Sequence, residues 1–170
     1  PYKKWRHSVP NFFLTMTTII VNFPLAFLLL KTSDWAVENQ FGIINWLPAM
    51  PLWLYVLLGV MLLDWIGAYA AHWVEHKVKP LWMVNLVHHS DHHVDTTTAN
   101  RHHPLESLIR YTFTLAGVLI VGAPIGVIML YQSLSVVFSQ FNHANIRLPK
   151  KVDNAISWFV VSPDMHKVHH

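Results

Sequence analysis

The 170-residue chain is 53% hydrophobic and only 12% charged, and it has thirteen histidines and no cysteine. Soluble domains usually carry about 25% charged residues, so this is the composition of a membrane protein of single-domain length. Its net charge of +3 is scattered along the chain and indicates no nucleic-acid partner. The absence of cysteine excludes disulfides, thiolate-ligated haem, cysteine-ligated iron–sulfur clusters and Cys-type zinc sites.

The opening PYKKWRHSVP is basic through Lys3, Lys4 and Arg6, and His7 within it reads as a solvated surface histidine. Asn11 to Leu30 then runs for twenty residues without a charge, enough to cross about 30 Å of hydrocarbon as a helix. It is too long for a signal-peptide core, and no small-residue cleavage site follows; Pro24 is a candidate kink. Residues 31 to 50 read as a polar-to-mixed connection carrying Lys31, Asp34 and Glu38 and closing on Pro48 and Pro51. A second span, Leu52 to Ala71, holds one charge, Asp64, and leads into His72-Trp-Val-Glu-His76.

KVKP (Lys77 to Pro80) ends that helix. LWMVNLVHHSDHH reads as an amphipathic surface helix with Trp82 as an interfacial anchor. DTTTANRHHPLES is a loop, and Pro104 begins the next helix. The 37 apolar residues from Leu105 to Phe141, broken at Gly122-Ala123-Pro124, predict a hairpin with a short first arm. FNHANIR, the basic RLPKK, the apolar ISWFVV and finally SPDMHKVHH complete the chain.

The expected architecture is an all-α integral membrane bundle of about four spanning or hairpin helices. Residues 1–170 form a single membrane-embedded catalytic domain, with a helical cap carrying the histidine boxes. The start without Met and the stop on a ligand-type histidine suggest a C-terminally truncated fragment of a longer protein. Two out-and-back hairpins would put the N-terminus, residues 72 to 106 and residues 143 to 170 on one side. Every Lys and Arg except Lys31 is assigned to that side, which is therefore the cytoplasmic one.

Histidine dominates the chemistry. His72 and His76 are four apart, hence neighbours on one helix face; His89, His92 and His93 repeat the pattern, and His166, His169 and His170 close it. Neutral imidazole is a common transition-metal ligand, and eight of them exceed the four that one tetrahedral zinc uses, so the boxes imply two metals. HHSDHH also permits His88 to pair with His92, so His88 is either a ligand or a residue supporting one. His102 and His103, in the loop before Pro104, read as structural or supporting residues. His143, at a span end on the same side, is a further candidate ligand. Asp64, the one intramembrane charge, could accept a hydrogen bond from a ligand ring or simply pack between helices.

These motifs resemble the fatty acid hydroxylase/sterol desaturase superfamily of integral-membrane di-iron oxidoreductases from about Asp64 to His170. DWIGAYAAHWVEH is similar to its first box, LVHHSDHH to its second, NRHHPLES to its HPxE element, FNHANI to its hairpin histidine and SPDMHKVHH to its last box. The resemblance implies His72, His76, His89, His92, His93, His143, His166, His169 and His170 as ligands of two non-haem irons. The irons would use O2 to hydroxylate or desaturate a fatty acyl or sterol-like lipid drawn from the bilayer. With no flavin or haem motif here, it also implies a cytoplasmic-side electron carrier, cytochrome b5-like or ferredoxin-like. A histidine-rich zinc transporter is the main rival, and would need ligands at mid-bilayer depth. A bis-histidine haem protein and a two-zinc hydrolase are further rivals.

Overall fold

A computed structural model describes residues 4–170; Lys3 of the basic opening lies outside them. Among the described residues the chain is all-helical, at 77% helix without strands. Helix α1 (Lys4–Glu38) runs for 35 residues with Pro10 and Pro24 inside it, about 52 Å at 1.5 Å per residue. It therefore outruns the expected span, and the connection predicted from residue 31 is instead its last two turns. The reason is packing. Leu29, Ser33 and Ala36 share one face and are buried, while Lys31, Asp34 and Glu38 point away from it. Ser33 Oγ donates to the Ala123 carbonyl at 2.9 Å, so the helix continues until it meets the far turn of the bundle.

After the short helix α2 (Ile43–Trp46), helix α3 (Leu52–Leu63) passes through a π-helical segment (Asp64–Ala70) into α4 (Ala71–Lys77). Val78 adopts an extended conformation, and α5 (Lys79–His89) starts with Pro80 in its first turn, where a missing N–H costs nothing. A 3₁₀ turn (Thr98–Asn100) precedes α6 (Pro104–Val121). Helices α7 (Ile125–Asn142), α8 (Lys150–Ile156) and α9 (Pro163–His169) complete the chain.

Among the described residues four helical stretches are long and apolar enough to cross a membrane: Trp5–Trp46, Leu52–Lys77, Pro104–Val121 and Ile125–Asn142. The two hairpin arms have 18 residues each, so the first is no shorter than the second. Phe12, Phe13, Phe23, Phe27, Leu52 and Trp53 are among the large apolar side chains left exposed on the bundle, as expected of helices facing lipid. The core groups Leu29, Ile44, Leu63, Val118, Val121, Val127, Ile128 and Tyr131.

The start of α1 is tied to the histidine-bearing end. Asn11, fully buried, donates to Thr97 Oγ1 at 2.8 Å and Asp91 Oδ2 at 3.3 Å and accepts from Arg101 Nη1 at 2.7 Å. His7 is not solvated there but lies 3.4 Å from Asp91 and 3.5 Å from Asp95. Arg110, assigned above to the basic face, sits about two turns inside α6.

At the opposite end, Gly42 (φ 108°) and Gly122 (φ 76°) press backbone on backbone, and Asn45 Nδ2 donates to the carbonyls of Phe41 and Gly122. A Cβ at either glycine would collide with its opposite number's strand of chain, in a left-handed conformation that L residues avoid. Gly42→Ala and Gly122→Ala should each destabilise the protein by at least about 1–3 kcal/mol, read as a lowered thermal midpoint in detergent. Gly126→Ala, with nothing within 4 Å of its Cβ position, should leave the midpoint unchanged.

Candidate metal centre

Two groups of four histidines lie side by side at one end of the bundle: His72, His76, His89 and His169, and His88, His143, His166 and His170. In each, one ring nitrogen per residue lies within 4.8 Å of the other three. In the first group His72 Nε2 and His169 Nε2 are 2.8 Å apart, and His76 Nε2 and His89 Nε2 are 3.1 Å apart. This group is partly open, with His169 exposed. The second is deeper, with His88 and His143 at 3% and 4% exposure.

The second group has the lone-pair geometry that a metal ion could use. His143 Nδ1 is 2.7 Å from the Ser139 carbonyl, which can only accept, so Nδ1 carries the proton and Nε2 presents a lone pair. Onto that nitrogen converge Nε2 of His166 at 2.9 Å, His88 at 3.3 Å and His170 at 3.4 Å. One lone pair cannot satisfy three donors well, whereas a cation at the centre satisfies four lone pairs at once.

Helix geometry distributes the ligands. Successive helical residues are about 100° apart, so the doublet His88-His89 at the end of α5 sends one ring to each group, and His169-His170 does the same at the end of α9. His72 and His76, four apart on α4, serve one group together. His143, which caps α7, and His166 complete the other.

Of the residues predicted as ligands, His72, His76, His89, His143, His166, His169 and His170 are thus brought together. His92 and His93 are not: both are exposed, and His93 lies edge-on to His7 at 6.1 Å. Helix α5 stops at His89. Asp91 then turns inward to accept from Thr98 Oγ1 at 2.7 Å and from the His93 N–H at 3.1 Å, which ends the helical register that would have carried His92 and His93 to the same face. His88, read as ligand or support, takes a place in the buried group.

The supporting residues also differ from expectation. Asp64 opens the π-helical segment on the exposed side and hydrogen-bonds no histidine, because the π turns between it and His72 rotate it away from where an α-helix would carry it. The carboxylate beside His72 is Glu75, fully buried, with Oε2 at 3.5 Å from Nδ1. His103 is the N-cap of α6, accepting from the Leu105 N–H at 3.1 Å. His102 donates from Nδ1 to Glu106 Oε1 at 2.8 Å, its Nε2 faces the Ala99 carbonyl at 3.1 Å, and its ring stacks on His88 at 4.9 Å. With both nitrogens engaged it supports the buried group and is not a ligand. Trp82, expected at the interface, packs instead on the rings of His76 and His89. Glu75 and Arg110 approach one another across helices α4 and α6 at 3.9 Å, a pairing that no spacing in the sequence announces.

Burial, followed by the neighbouring imidazoles His170 and His169, holds His89 down to about 3. Burial likewise takes His166 to about 2 and His143 and His170 to about 4, and puts His88 well below the ordinary range. These rings are neutral at pH 7, the state that metal ligation requires.

The fold and these cages define an integral membrane protein with two histidine groups at one end of a helical bundle, each of which could hold a metal ion. The sequence pattern of the fatty acid hydroxylase family matches residues 56–170, and the chain belongs to that family, whose members are oxidoreductases acting on lipids. No curated protein and no solved structure matches it.

The depressed histidines set a pH dependence. Unfolded, they take up protons below about 6.5; folded, they do so only at the lower values above. The unfolded state therefore binds more protons in that window, and stability rises with pH through it. The metal-free protein should be most stable above pH 6.5 and lose thermal stability progressively towards pH 4, followed by differential scanning fluorimetry. A midpoint flat from pH 8 to pH 4.5 would contradict the buried, neutral assignment.

Proposed function

We propose that the chain is a membrane-bound non-haem di-iron oxidoreductase that uses O2 to hydroxylate or desaturate a lipid. The observation that carries this reading is the pair of four-imidazole cages interlocked through the His88-His89 and His169-His170 doublets, in a chain of the fatty acid hydroxylase family. All-nitrogen neutral ligation suits iron in both its ferrous and ferric states and excludes no O2 chemistry by excess negative charge. A bound iron pair would supply O2 activation and the removal of hydrogen from an unactivated C–H bond.

The chain's own residues set the conditions for that chemistry. His143, locked by Ser139, fixes one lone pair on the inner cage, and His102 and Glu106 brace its neighbour His88. The outer cage, open at His169, is where a lipid's reactive carbon approaches, its tail remaining among the exposed apolar faces of the spans. Electrons come from an external carrier, cytochrome b5-like or ferredoxin-like, on the cytoplasmic face. Lys77, Lys79, Lys150 and Lys151 are exposed and would suit an acidic partner. Zinc transport is the poorer account: both cages lie at one end of the bundle, and Asp64 stands apart from them.

Purified protein should contain about two irons per chain, one per four-ligand cage, by plasma emission spectroscopy. His89→Ala and His166→Ala should each lose metal and abolish the oxygen-dependent change in cellular lipids seen by mass spectrometry, whereas His92→Ala should retain metal. Full iron retention by both His89→Ala and His166→Ala would overturn the assignment.

A further inference from the structure

Behind the two cages lies one cation shared by two buried carboxylates. Glu75 and Glu106 are both fully buried. Arg110 Nη1 is 3.9 Å from Glu75 Oε2 and 3.4 Å from Glu106 Oε1, and among the described residues it is the only Lys or Arg within 4 Å of either. Each carboxylate belongs to a different cage: Glu75 faces His72 Nδ1 at 3.5 Å, while Glu106 holds His102, whose ring stacks on His88. Neither Glu75 oxygen nor His72 Nδ1 has a hydrogen-bond partner, so these contacts are electrostatic. Arg110 also faces a cavity of about 190 Å³ inside the bundle, shared with Asn22, Tyr111, Thr114, Gln132 and Ser135.

We propose that Arg110 is a positioning residue common to both metals: its guanidinium holds Glu75 against His72 and Glu106 against His102, and so couples the two cages. Glu106 keeps His102 at 2.8 Å, but Glu75 has no other Lys or Arg within 4 Å among the described residues, and a buried carboxylate left without its cation is costly in low dielectric. Glu75 would then swing from His72 towards the polar cavity, and Glu106 would loosen its hold on His102. Partners that orient metal-bound histidines typically change metal affinity by about 10- to 100-fold. Here one side chain would deliver that loss to two sites, neither of which it touches. Lysine keeps the charge on a single nitrogen, and it is a single nitrogen of Arg110, Nη1, that faces both carboxylates, so lysine serves both to the extent that its own reach allows.

The inference rests on the two-metal reading, and cobalt(II) titration of the metal-free protein in detergent, followed by its visible ligand-field bands, separates the two. Wild type taking up fewer than two cobalt ions would count against the two-metal reading itself. Given two ions in wild type, Arg110→Gln should weaken both by about 10- to 100-fold and shift both bands. Arg110→Lys should restore both sites in part, and Arg110→Gln with Glu75→Gln should recover the outer cage, because the stranded charge is gone. If Arg110→Gln alone does not fold, the double variant should fold and bind. Unchanged affinity and bands in Arg110→Gln, weakening confined to one cage, or a double variant no better than the single one would each overturn the proposal.

Discussion

Everything at the working end of this protein follows from the convergence of uncharged imidazole lone pairs. Water cannot neutralise a knot of nitrogens facing one another at 2.8–3.4 Å, and protonation would set like charges side by side. A cation at the centre of each group would resolve it. That requirement explains why the rings are held neutral, why Ser139 fixes the proton of His143, and why helices from distant parts of the chain end together. The spans supply scaffolding, and the ends of α4, α5, α7 and α9 supply donors.

Much of this was legible before any coordinates. Long uncharged runs marked the spans, and the helical spacing of HWVEH and HKVHH placed several histidines on common faces. What failed did so for identifiable reasons. The preference for His89-x-x-His92-His93 assumed that helix α5 continued through Ser90, but Asp91 is drawn inward by Asn11, eighty positions away, and no local pattern announces such a partner. The reading of Asp64 assumed α-helical rotation through a stretch that is π-helical. The extension of α1 to Glu38 depends on Ser33 meeting Ala123, which only the closed bundle reveals.

The same logic explains the supporting residues. A carboxylate is useful behind a ligand histidine only if something keeps it charged and aimed, and in a bundle this apolar few residues can. Arg110, two turns inside α6, stands where helices α4 and α6 both reach it. A position that looks like a stray charge in a spanning helix is thus explained by what lies on its neighbours, much as intramembrane charges generally are.

The adjacent histidines carry one more implication. Because His88 and His89 share a peptide link, as do His169 and His170, the two histidine groups are tied to one another at both ends by adjacent backbone positions. An emptied cage would keep its shape so long as its neighbour stayed filled, so loading one ion should prepare the ground for the other.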